Sequence, residues 1–120
     1  MTVFVKNITI NSGEDFVEEF NLLSADGSGA VDLTGFSAQS QIRKNASSYQ
    51  FADLTIGFPN ATQGLIQVSI ASTISEKWRP GRYVYDIILT RPSGFKLVGV
   101  EGSALVRAGI STHTHLYGSP

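Results

Sequence analysis

The alternation that organises the chain runs from Gly81 to Leu89 (GRYVYDIIL). Pro80-Gly81 is a turn signal, and the aromatic, β-branched and leucine residues after it predict a long strand rather than a helix. Period-two reading puts Tyr83, Tyr85, Ile87 and Leu89 on one face and Val84, Asp86, Ile88 and Thr90 on the other. Asp86 is the awkward position. A carboxylate between Tyr85 and Ile87 is costly if buried alone and tolerable if paired or wet, so it asks for a partner.

Similar patterns recur along the chain. Residues 2–10 predict a first strand with Phe4, Lys6, Ile8 and Ile10 on one side, and Asn11-Ser12-Gly13-Glu14 turns the chain. A second strand, 15–24, points Phe16, Phe20 and Leu22 inward. Glu18 shares their parity, so it lies in water near the strand end or a bulge resets the register. Asp32, Thr34 and Gly35 close a tight connection in which the Asp and Thr side chains bond nearby backbone amides. That makes Asp32 a structural residue rather than a catalytic acid.

The third strand, 36–44, turns Phe36, Ala38, Ser40 and Ile42 inward and Gln39, Gln41 and Arg43 outward. The fourth, 49–58, is ended by Pro59-Asn60. A fifth, 64–71, has the cleanest half-buried alternation, with Ile66, Val68 and Ile70 inward. Thr73 followed by Glu76 has the spacing of a capping box and predicts one helical turn, with Trp78 tucked against the core edge below it. Arg91-Pro92-Ser93-Gly94 reads as a hairpin turn. Gly99 and Gly102 then bend, bulge or split the last strand region, 95–108.

These elements predict an all-β fold: an immunoglobulin-like antiparallel β-sandwich of about seven strands with Greek-key connections. A jelly roll or small antiparallel barrel is the second choice. Residues 1–110 form the domain in this reading, and 111–120 a polar C-terminal arm. In such a sandwich the third and sixth strands are neighbours, and Arg43 on the outward set of one predicts an ion pair with Asp86 on the other.

Composition narrows the chemistry. The chain has 120 residues, no cysteine, 16% charged residues and a formal net charge of -1. Disulfides and thiolate chemistry are therefore excluded, and the electrostatic case for nucleic-acid binding is absent. Acidic residues crowd the first half and basic residues the second, which either neutralise each other across the sandwich or stack identical subunits. The start, MTVFVKNIT, lacks the marks of a signal peptide, and no apolar run has membrane-spanning length, so neither export as a precursor nor membrane insertion is expected.

No serine stands in a nucleophile-elbow context and no glycine cluster has phosphate-loop form, so neither an enzyme nor a cofactor is expected. His113 and His115 point the same way in an extended segment and would share a metal only if symmetry supplied further ligands; a polar arm without metal is the plainer reading. Tyr49, Phe51, Trp78 and Tyr117 are the aromatics to inspect for surface binding.

Phe16 and Phe20, Asp32-Leu33-Thr34-Gly35, Gln41-Ile42-Arg43, Gly64, Tyr83-Val84-Tyr85-Asp86 and Gly102 together resemble small immunoglobulin-like proteins of tailed bacteriophage virions. The pattern is similar to the N-terminal domain of siphophage baseplate proteins that hold receptor-binding proteins, and spans residues 3–110. The resemblance implies a non-enzymatic virion component, made in the host cytoplasm, whose partners are other virion proteins and copies of itself. In it Asp32, Arg43 and Asp86 carry over as fold determinants. Baseplate proteins continue into a long C-terminal region while this chain ends at Pro120, which moves the expectation toward a decoration, cement or joining protein of the head, neck or tail. A host-surface or carbohydrate-binding module, with a surface glycan as partner, is the alternative.

Overall fold

The computed structural model describes residues 4–24, 29–45 and 51–108. Among the described residues eight strands form in chain order: β1 (Phe4–Val5), β2 (Ile8–Asn11), β3 (Phe16–Asn21), β4 (Ser37–Arg43), β5 (Phe51–Asn60), β6 (Leu65–Ile70), β7 (Gly81–Thr90) and β8 (Lys96–Arg107). One helical turn, α1 (Ser72–Ser75), joins β6 to β7. The strand order is β1-β8-β7-β4-β5-β6-β3, with β2 also paired to β8.

The sheet curls on itself at β5. Its first half, Phe51 to Leu54, pairs with β4, and its second half, from Thr55 onward, pairs with β6. The broad β1/β2-β8-β7-β4-β5 part thus faces the narrow β5-β6-β3 part across a shared core, a half-barrel of the sandwich and barrel class. The core fills from alternate positions of both parts: Ile10, Ile66, Val68, Ile87, Leu89, Val100 and Val106 are at most 1% exposed. The inward sets expected for β4, β6 and β7 are the ones observed, and Ser40, the polar member of the β4 set, is buried with its hydroxyl donating to the Asp86 carbonyl at 2.6 Å.

Three expectations are corrected. The sheet is mixed rather than antiparallel, because β1 and β2 run parallel to β8. Both hold the same offset, Val5 opposite Glu101 and Ile8 opposite Ala104, so they are one edge strand interrupted at Lys6 and Asn7. Glu18 neither escapes to water at a strand end nor sits at a bulge. The β3–β6 register is continuous from Phe16 opposite Ile70 to Asn21 opposite Leu65, and it holds Glu18 on the inward face. The capping box does not form either: α1 has Ala71 at its N-cap with no side-chain cap bond, and the Asp15 carboxylate accepts from the Ser72 amide at 2.7 Å instead.

Glycines decide how closely the last strand is approached. A Cβ at Gly102 would stand 2.1 Å from the Lys6 carbonyl oxygen and 2.7 Å from its carbon, both backbone atoms. At Gly99, beside the register shift between Ile87 and Ile88, it would meet the Leu89 Cδ1 at 2.6 Å, the movable end of a side chain. Gly102→Ala should therefore lose about 3 kcal/mol and Gly99→Ala only about 1 kcal/mol in urea unfolding. Hydrogen exchange at the β1 and β2 amides should accelerate in the first variant alone; equal losses would refute the close approach as the cause.

Candidate functional site

The parity of β7 turns Asp86 onto the outer face of the broad part, while Tyr85 beside it goes into the core. Register then sets its neighbours. Asp86 stands opposite Gln41 on β4 and opposite Glu101 on β8. Glu101 is in turn opposite Val5, and Gln41 opposite Asp53, so one transverse row crosses five strands as Val5, Glu101, Asp86, Gln41, Asp53.

Arg43 lies on the same face but opposite Val84, one diagonal step from Asp86. The direct cross-strand partner of Asp86 on β4 is thus Gln41 rather than Arg43. The Arg43 guanidinium donates to the Gln41 side-chain oxygen at 2.6 Å, which ties the cation to the amide between them.

These side chains line a groove of about 450 Å³ that includes Val5 and Val84, 67% and 39% exposed. Its electrostatics are uneven. The Glu101 carbonyl accepts the Lys6 amide at 2.9 Å, so the Glu101 backbone faces β1, and Asp86 and Glu101 form a non-hydrogen-bonded pair, the kind that brings side chains closer. Like charges opposite one another on a sheet face are destabilising. Burial pushes the Asp86 carboxyl above its ordinary range; Arg43 pulls it back and Glu101 adds to the rise. The groove therefore combines apolar patches, two crowded carboxylates, an amide and a guanidinium, a set suited to hydrogen-bonding or salt-bridging a visiting group.

Other candidate residues lie elsewhere. Asp32 accepts from the Thr34 amide at 3.0 Å and from the Thr34 hydroxyl at 2.6 Å, and Gly35 follows with φ 80°. Trp78 is half-buried against the core. Phe51 pairs with Arg43 through the backbone of β5, and its side chain is outside the described residues, as are Tyr49, Tyr117, His113 and His115. Among the described residues, no group of three or more His, Asp or Glu stands close enough to hold a metal. Gln41, Glu101 and Val5 were missed as site residues because their meeting depends on three strand registers, which alternation does not encode.

The raised Asp86 pKa has a definite sign. The neutral acid is favoured in the fold, so the associated stability is full below the ordinary value of 3.8 and is lost as pH rises through the folded value. Asp15 and Asp32 behave oppositely: hydrogen bonds from Ser72 and Thr34 lower them, and their contribution is lost as pH falls. Asp86→Asn should accordingly stabilise the protein at pH 7 by roughly 0.5 kcal/mol. At pH 3 the advantage should disappear. A gain of equal size at both values in thermal unfolding would show that charge is not responsible.

No family model matches the chain. No curated protein matches it either. Among solved structures, a family 123 glycoside hydrolase from Clostridium perfringens, described for glycolipid glycan hydrolysis, aligns with 92% of this chain at 11% identity and a TM-score of 0.40. The chain spans 24% of that enzyme's length, and a likeness so slight brings neither its fold nor its activity here.

Proposed function

We propose that this chain is a non-enzymatic, immunoglobulin-like structural component of a tailed bacteriophage virion, joining or stabilising head, neck, tail or baseplate subunits through protein contacts. The observation that carries the reading is the outer-face groove, where exposed Val5 and Val84 flank Asp86, Glu101 and Arg43. Apolar area beside charge of both signs is the composition of a protein-binding patch, with the charges setting register and partner choice. The topology supports the immunoglobulin-like part: β3 pairs β6 in the narrow part, while β8, β7 and β4 are consecutive in the broad one.

A second reading draws on the same groove. Planar carboxylate, amide and guanidinium groups hydrogen-bond sugar hydroxyls well, so the site also suits a carbohydrate-binding module. An exposed stacking aromatic is what that reading lacks within the described groove lining, since Tyr85 is only 4% exposed and Trp78 packs on the core.

Density for an intact particle, combined with cross-linking of Lys6 and Lys44, decides between them. In the proposed role the chain occupies a fixed position with the groove covered by a neighbouring subunit, and Val84→Glu reduces incorporation into particles about tenfold or more. Absence from purified particles would refute it. A groove left open to the outside, with Asp86 and Gln41 amides shifting on titration with host glycans, would establish the second reading instead.

A further inference from the structure

A second surface, independent of the groove, lies at the other end of the strand order. β3 is an edge strand, and none of the described residues pairs its outer flank. Its inner flank is fixed by the Leu22 amide, which donates to the Gly64 carbonyl at 2.8 Å. Alternation from that bond turns the amides and carbonyls of Phe20, Glu18 and Phe16 toward β6 and those of Val17, Glu19 and Asn21 outward. Three donors and three acceptors thus form a ready template for another strand. The preceding strands do not cover it, because β1 and β2 pair with β8 in the opposite part of the sheet.

Side chains define what fits. Glu18 points inward from this edge, and its Oε2 is sealed from solvent with no hydrogen-bond partner among the described residues. The residue as a whole is only half-buried. Phe16 is half-buried two positions before it, and two positions after it Phe20 meets the Phe4 ring at a centroid distance of 6.3 Å, with Phe4 itself 36% exposed. An added strand would set its residue opposite Glu18 on the same inward face, about 5 Å away. A second copy is a poor occupant: antiparallel pairing about Glu19 would place Glu19 opposite its own copy, with both Glu18 carboxylates alongside. An inward-pointing charge on an edge strand is a recognised guard against that pairing.

We propose that the outer flank of β3 takes an extended segment of a partner protein, adding it as a strand with a lysine or arginine in register with Glu18. Apolar residues two positions to either side of the cation meet Phe16 and the Phe4–Phe20 pair. Backbone bonds to Val17, Glu19 and Asn21 supply affinity, and the Glu18 carboxylate selects the sequence.

The probe is a synthetic nine-residue peptide of alternating threonine and valine, with one central lysine in the valine register, titrated into the isotopically labelled full chain. Amide exchange protection should appear at Val17, Glu19 and Asn21. A peptide with glutamate in place of the lysine should bind at least about tenfold more weakly, and Glu18→Gln should erase that discrimination. Equal binding of the two peptides, or protection confined to other strands, would overturn the proposal. So would protection of these amides in the peptide-free protein, whether accompanied by dimers in sedimentation, which assigns the edge to a second copy, or lost on removing residues 109–120, which assigns it to the chain's own terminus.

Discussion

The close approach of the Lys6 backbone to Gly102 is the constraint from which the topology follows. Tyr85, 4% exposed in the core, reaches outward with its hydroxyl and donates to the Lys6 carbonyl at 2.6 Å. The Asn7 side chain accepts from the Ser103 amide at 3.1 Å, and the Lys6 amide bonds Glu101. These contacts fall in the two-residue gap between β1 and β2, where the regular ladder is broken. They therefore satisfy polar groups that the interruption would otherwise strand, and only a glycine at 102 leaves room for them. Burial raises the Tyr85 pKa strongly, and Glu18 adds to the rise, so the phenol stays a donor throughout the physiological range.

Two features depend on that attachment. With the N-terminal strand bound in parallel to β8, the broad part gains its outer column and Val5 reaches the groove beside Glu101. The same placement withholds a strand from β3, which ends the narrow part as an edge that none of the described residues pairs. A second latch holds the opposite end: the Ser12 hydroxyl donates to the Ser75 carbonyl at 3.1 Å and the Gly13 amide to the Ser75 hydroxyl at 3.2 Å, fastening α1 to the turn after β2. The edge strand from Phe4 to Asn11 is thus held at its break and at its far end, while none of the described residues pairs the outer side of β3.

Alternation made much of this legible. The β7 boundaries and the inward assignment of Tyr85, Ile87 and Leu89 follow from period two, and so does the outward placement of Asp86. The β4–β7 adjacency followed from the fold class. Register did not, because it is set by turn geometry and bulges rather than by alternation, and a shift of two positions separates Arg43 opposite Val84 from Arg43 opposite Asp86. Parallel pairing of β1 and β2 was equally hidden, since a half-buried strand reads the same in either direction. Glu18 shows the limit differently. Its parity places it inward, and a charge there predicts water or a bulge, whereas the chain tolerates it in register on an edge.

Both positions that violate simple sheet chemistry coincide with a proposed surface. Asp86 opposite Glu101 costs stability on an outer face where neutral pairs would do better, and Glu18 leaves a sealed oxygen without a hydrogen-bond partner among the described residues. In a fold whose other elements agree with their local sequence, such departures mark places where a requirement other than stability is met. The two act differently. The Asp86–Glu101 pair lies in a groove already holding a guanidinium, so a partner there rearranges existing charges and alters specificity more than affinity. Glu18 has no such neighbour within the described hydrogen bonds, and a cation brought to it by a partner strand removes a penalty carried by the free protein. Relief of that penalty adds to the backbone ladder, so the edge is the surface at which a single charge separates a binding segment from a non-binding one.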